Sequence, residues 1–335
     1  MPTPSPVVVI TGASAGVGRA TAHAFARQGA RIGLLARDGE ALHATRREVE
    51  RLGGDAIALP ADVSDFGAVD AAATAVEEAF GPIDVWVNNA MTTVFSPVRE
   101  LEPHELHRVT QVCYFGFVHG TMAALRRMLP RDRGTIVQVG SALAFRGIPL
   151  QAAYCGAKHA IVGFTDSLRA ELIHDGSNIR LTAVHLPAMN TPQFDWARVR
   201  FARRPKPVGA IMQPERAAEA ILHAAAHAPR ALWVGGSTVQ TILGQMVAPG
   251  LMDRAVARMA YEQQLRPEPL PADYRDNLYE PVHAPHATHG AFDHEASPRA
   301  PVLREATVRG LAATGGLMLA AGLAWGVATL ARRTA

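Results

Sequence analysis

Apolar runs that read as β-strands recur through the first 235 residues, near 7–11, 31–36, 56–60, 83–87, 135–140, 180–185 and 231–234. Between them lie stretches of helical periodicity near 17–28, 38–52, 66–79, 101–129, 153–175 and 214–228. Continuous β-branched runs alternating with helices indicate strands buried on both faces. The pattern predicts an α/β fold, with a parallel sheet of about seven strands and helices on each side. No internal repeat is visible.

The pattern changes near residue 250. Residues 239–262 read as a further helix broken at Pro249-Gly250. Residues 266–303 hold seven prolines and four histidines without periodicity, and read as an irregular linker. His283, His286, His289 and His294 lack the Cys partners or tight spacing of a metal site, so no metal is expected. Residues 310–331 form an uncharged run of 22 residues, long enough as a helix to span about 33 Å. Twelve of the 22 are Gly or Ala, so the apolar drive is modest, about −3 kcal/mol from its Leu and Val side chains. The reading is a membrane-anchoring helix, with Gly322 and Gly326 spaced for close helix pairing. The expected organisation is therefore a catalytic domain at 1–250, a linker at 251–303 and a membrane-associated tail at 304–335.

Composition supports a folded chain: of 335 residues, 48% are hydrophobic and 19% charged, which excludes a disordered polymer. Two cysteines are too few for a disulfide framework. The net charge of +3 resides in residues 304–335, which carry four arginines and one acid, leaving 29 basic against 29 acidic residues elsewhere. A neutral body argues against nucleic-acid binding; the one dense basic run, Arg198 to Lys206, reads as a solvated loop. The first ten residues carry no basic charge before the first strand. No signal peptide is therefore expected, and the catalytic body is expected in the cytoplasm.

The chemistry begins after the first strand, at Thr11-Gly12-Ala13-Ser14-Ala15-Gly16-Val17-Gly18. Glycines at a strand–helix junction let the backbone approach a pyrophosphate, which the helix N-terminus attracts. Beyond the second strand, Ala36 stands where an acid would hold a ribose 2′-hydroxyl, and Arg37 follows. A guanidinium binds a 2′-phosphate through forked hydrogen bonds, which favours NADP(H) over NAD(H). The competing Asp38 reads as a helix N-cap. Tyr154 and Lys158 stand four apart at the start of a helix and so share a face. Only two lysines occur in the chain, Lys158 and Lys206. An ammonium near a phenol favours the phenolate, making tyrosine a usable acid/base. Ser141, just past the strand at 135–140, is placed to hydrogen-bond the reacting oxygen.

In these motifs, with Asp62-Val63 and Asn88-Asn89-Ala90 in the same order, residues 5–235 resemble the short-chain dehydrogenase/reductase family, in its non-extended subclass. The resemblance implies a Rossmann-type doubly wound sheet, NAD(P)(H) as cofactor and a homo-oligomer. It implies Tyr154 as catalytic acid/base, Lys158 lowering its pKa while holding the nicotinamide ribose, and Ser141 orienting the substrate oxygen. It places Gly12, Ser14, Ala15, Gly16, Val17, Gly18 and Arg37 on the cofactor, with Asp62 and Val63 at the adenine. Asn89 and Ala90 would line the cofactor, and Pro187, Ala188 and Thr191 would meet the carboxamide. Three departures stand out: Met91 where the family has glycine, Cys113 where a relay asparagine is common, and Ala188 after Pro187. Gln111 takes the relay position only under a shifted register.

The implied function is an NADP(H)-dependent oxidoreductase acting on a small molecule. Phe194 and Trp196, with Met91, Val94, Phe95 and Phe145, point to a lipophilic alcohol or ketone. The alternatives are a non-catalytic NADP-binding membrane scaffold and a lyase or epimerase using the same tyrosine.

Overall fold

The computed structural model describes residues 5–283 and 286–314. Strand β1 (Val7–Thr11) shows why continuous apolar runs mark this fold: every residue is buried. Successive side chains point to opposite faces. Val8 and Ile10 enter one core, with Phe25 and Ile221, while Val7 and Val9 enter the other, with Val76 and Met128. Helices α1 (Gly16–Ala26) and α2 (Gly39–Arg51) cover the first face. Helices α3 (Phe66–Phe80), α5 (Gly116–Met128) and α6 (Ala152–His174) cover the second. Helix α4 (Pro103–Thr110) runs into α5 through a π-helical turn, Gln111–Phe115, and α7 (Pro214–His227) packs beside α1. Asp38 caps α2, its carboxylate accepting from the Ala41 N–H at 3.0 Å.

The other strands are β2 (Arg31–Ala36), β3 (Asp55–Pro60), β4 (Val85–Asn88), β5 (Thr135–Ser141), β6 (Arg180–Leu186), β7 (Ala231–Val234) and β8 (Val302–Arg304). Their order is β3-β2-β1-β4-β5-β6-β7-β8. Seven pair in parallel, and β8 joins β7 antiparallel, with Leu232 opposite Arg304. The eighth strand is a correction to the expected count: three residues in a proline-rich segment carry no period-two signal. The order reverses between β1 and β4, and a crevice opens there at the strand C-termini.

After β7 the chain forms α8 (Gly236–Val247) and α9 (Pro249–Gln263), with Pro249 opening the second helix. Leu265–Pro269 then pairs antiparallel with Arg203–Pro205. The segment that follows folds back over the crevice: Arg37 donates to the Tyr279 carbonyl at 2.7 Å, and the Gly16 N–H to the Ala287 carbonyl at 3.0 Å. Leu278 is buried against Val94, Val109 and Cys113. The basic run is likewise folded in: Arg200 meets the fully buried Glu105 at 2.7 Å, and Arg203 meets Glu262 at 2.7 Å. A solvated loop was the expectation; paired carboxylates are what this run meets.

A helix over 305–314 follows β8, with Val308 buried against Trp233. Among the described residues no helix is long and apolar enough to cross a membrane. The uncharged run at 310–331 lies outside the described residues beyond residue 314.

Candidate active site

A cavity of about 450 Å³ follows the C-terminal ends of β1, β2, β4, β5 and β6. At one end Arg37, Asp62 and Val63 line it; Gly12, Ser14, Ala15, Gly16 and Val17 form its middle with Asn89 and Ala90. Ser141, Tyr154, Lys158, Pro187, Ala188 and Thr191 line the far end. Gly18 stands behind this wall. A Cβ there would fall 2.1 Å from the Gly12 carbonyl oxygen, so the turn closes only on glycine at this position. Gly12, at φ +68°, would likewise drive a Cβ to 2.8 Å from the Ala90 Cα.

Asn89 ties the turn to β4: its amide nitrogen donates to the Thr11 carbonyl at 2.9 Å, and its backbone N–H to the Thr11 hydroxyl at 2.9 Å. Arg108 grips Asp62 at 2.5 Å and the Ser64 hydroxyl at 2.9 Å. Burial opposes ionisation of Asp62, but these contacts outweigh it and hold the carboxyl below its usual range. Arg37 spends three contacts on the carbonyls of Asn277, Leu278 and Tyr279. Its fork of five donors leaves capacity toward the cavity.

The Ser141 hydroxyl accepts from the Leu143 N–H at 3.1 Å and also faces the Tyr154 phenol. Tyr154 sits in the first turn of α6, and Lys158 one turn on. The ammonium of Lys158 donates to the Val139 carbonyl at 2.9 Å and lies 4.3 Å from the Phe117 ring centroid and 5.6 Å from that of Tyr154. Burial pulls the Lys158 pKa down to about 8. Burial also pushes the Tyr154 phenol above its ordinary value, with Ser141 countering only in part. The spacing predicts a lowered phenol; in this structure desolvation dominates, because the ammonium is bonded to β5 rather than to the phenol.

Cys113 is fully buried on the π-helical turn, and its thiol donates to the Thr92 carbonyl at 3.0 Å. Burial raises its pKa, and its bonds to the Thr92 backbone fix the chain after β4. Met91 lines the cavity beside it. Behind the site, His185 is buried, and burial together with the Lys158 charge lowers its pKa to about 4. Its ring fills the space a Gly140 side chain would need, with Nδ1 2.4 Å from the ideal Cβ position. A base whose folded pKa lies below its unfolded value of about 6.5 binds protons only on unfolding. Stability should therefore fall as pH drops from about 6.5 toward 4, by up to about 3 kcal/mol. Denaturant titrations of wild type and His185→Gln across that window check this; parallel pH profiles would refute it.

The sequence did not mark the second half of the wall. Thr238 and Thr241 of α8 and Met252, Val256 and Met259 of α9 line the cavity, as do Asn277, Val282 and His286 of the returning segment. The only available signal was the helical period at 239–262.

Known proteins similar to this chain share one family. The family model described as short chain dehydrogenase matches residues 6–198. An uncharacterized oxidoreductase of Bacillus subtilis is 33% identical over 276 residues, covering 82% of this chain and 78% of that protein. Among solved structures, a metagenomic short-chain oxidoreductase in complex with NADP is 29% identical, with a TM-score of 0.56 over 67% of this chain and 91% of that one. An NAD+-bound xylitol dehydrogenase is 32% identical, with a TM-score of 0.53 over 55% and 70%.

Proposed function

The chain belongs to the short-chain dehydrogenase/reductase family of oxidoreductases, and from that premise we propose that it transfers a hydride between NADP(H) and the carbonyl or alcohol carbon of a lipophilic small molecule. The supporting observation is that Ser141, Tyr154 and Lys158 line the same cavity as the glycine turn and Arg37. NADPH held there supplies the hydride. In the reducing direction Tyr154 gives its phenolic proton to the carbonyl oxygen, and the Ser141 hydroxyl, turning to that oxygen, stabilises the negative charge growing on it. The Lys158 ammonium adds positive charge below its pKa of about 8, and on this reading it would hold the nicotinamide ribose.

NADP(H) over NAD(H) rests on Ala36 and Arg37, and on Asp38, whose carboxylate is committed to capping α2. The lipophilic substrate rests on Phe95, Leu143, Ile148, Met252, Val256 and Met259 around the far end of the cavity. NADPH oxidation measured with 2-alkanones of increasing length tests both points. The kcat/KM should climb at least tenfold from 2-butanone to 2-decanone, since each buried methylene adds about 0.8 kcal/mol. A flat series would remove the lipophilic assignment.

The segment 251–303, expected as a linker beyond a body at 1–250, instead packs on that body: Leu265–Pro269 pairs with Arg203–Pro205, residues between 252 and 286 help line the cavity, and β8 extends the sheet to Arg304. Assembly as a homo-oligomer, and membrane association through 310–331 of the tail at 304–335, belong to the same proposal. Fractionation addresses the last: the full chain should partition with membranes and a chain ending at residue 314 should not. That end point keeps β8 and Val308. Equal partition would exclude the anchor.

A further inference from the structure

The first turn of α8 stands beside the reacting end of the cavity. A Cβ on Gly235, which precedes the helix at φ +82°, would lie 3.3 Å from the Pro187 ring. The helix packs on the turn that follows Ser141. No side chain caps it, and the backbone N–H groups of Gly236, Ser237 and Thr238 make no hydrogen bond among the described residues; the Val239 N–H is the first to bond, at 3.4 Å to Gly235. Thr238 is 0% exposed, and neither its hydroxyl nor that of Ser237 has a hydrogen-bond partner among the described residues. Both residues line the cavity that Tyr154 lines.

Helical threonines usually bond the carbonyl four residues back. Here that position falls in β7, at Val234, and the hydroxyl is left over. A buried polar atom without a protein partner needs a water, an ion or a ligand to bond it, or stores strain, and this one stands at a helix N-terminus on the cavity wall. Free N–H groups at a helix N-terminus favour an electron-rich oxygen. Beyond this turn the wall becomes apolar, at Met252, Val256 and Met259.

We propose that the N-terminus of α8, with Ser237 and Thr238, binds a second acceptor oxygen of the substrate, distinct from the one that receives the Tyr154 proton. The substrate is then a lipophilic ketone carrying a nearby ester carbonyl or carboxylate, its chain lying along α9. This rests on the oxidoreductase reading of the same cavity and adds the substrate class.

The test compares kcat/KM for 2-decanone, ethyl 3-oxodecanoate and 3-oxodecanoate with NADPH, in wild type, Thr238→Val and Ser237→Ala. Wild type should prefer a 3-oxo compound over 2-decanone by about tenfold or more, the ester if a carbonyl is bound and the acid if a carboxylate is. Thr238→Val, which keeps the side-chain shape, should cut that preference about tenfold, and Ser237→Ala by a smaller factor. In parallel, the melting temperature of the NADP-loaded protein should rise with ethyl 3-oxodecanoate or 3-oxodecanoate in wild type and fail to rise in Thr238→Val. An unchanged preference, with Thr238→Val merely more heat-stable, would overturn the proposal while leaving the oxidoreductase reading intact. If wild type reduces no ketone, that reading fails, and the melting shift alone decides the acceptor site.

Discussion

Replacing Tyr154 by Phe lowers kcat for ketone reduction by about 10²- to 10⁴-fold, the usual contribution of a positioned acid/base. The NADPH dissociation constant stays within about twofold. Only the hydroxyl is lost: the ring, which packs in the cluster with Cys113, Ala153 and Ala157, is retained. Because burial holds the phenol above its ordinary pKa, the proton to be donated is present throughout the accessible range. The Lys158 ammonium is not: with a pKa of about 8 it is charged below that value and neutral above it. Reduction should therefore lose rate as pH rises through about 8. Alcohol oxidation, which needs the phenol to give up its proton first, should gain rate with rising pH. Steady-state kinetics of both directions check the pair of slopes. A Tyr154→Phe enzyme within about fivefold of wild type would remove the assigned acid.

The second large effect falls on cofactor choice. Arg37→Ala should raise the NADPH dissociation constant about 10- to 150-fold, the worth of a charge-assisted contact of about 1.5–3 kcal/mol. NADH binding should move far less. The comparison matters because Arg37 also holds the carbonyls of Leu278 and Tyr279. Loosening that returning segment would alter both cofactors alike, whereas losing a 2′-phosphate contact alters NADPH alone. Titration of nicotinamide fluorescence with each cofactor separates the two. Equal losses would assign Arg37 to the segment instead of the phosphate.

What could be read in advance was local. The glycine turn at 12–18 follows from a strand, a helix and the backbone space between them, all within one stretch of chain. Tyr154 and Lys158 share a helix face by spacing alone, and both do line the cavity. The electrostatics between them was not legible. The bond from Lys158 to the Val139 carbonyl crosses from α6 to β5, and burial raises the phenol. The returning segment was hidden for a related reason. It docks through the carbonyls of 277–279 and 287, and carbonyls carry no sequence signature. Proline content at 266–303 forecasts a lack of helices, not where the chain goes. Arg198 and Arg200 read as solvated because their partner, Glu105, is about 95 residues away on α4. Thr238 carries no motif at all; its hydroxyl is buried without a partner in the first turn of α8, beside the cavity.

Hydride transfer inside this cavity is read out with NADPH deuterated at the transferring C4 position and 2-decanone as acceptor. Wild type should give 2-decanol labelled at the carbinol carbon, with the label greatly reduced in Tyr154→Phe. NADPH that binds tightly but leaves no deuterium in the product would contradict it, and would return the protein to a cofactor-binding scaffold or to chemistry without net redox change.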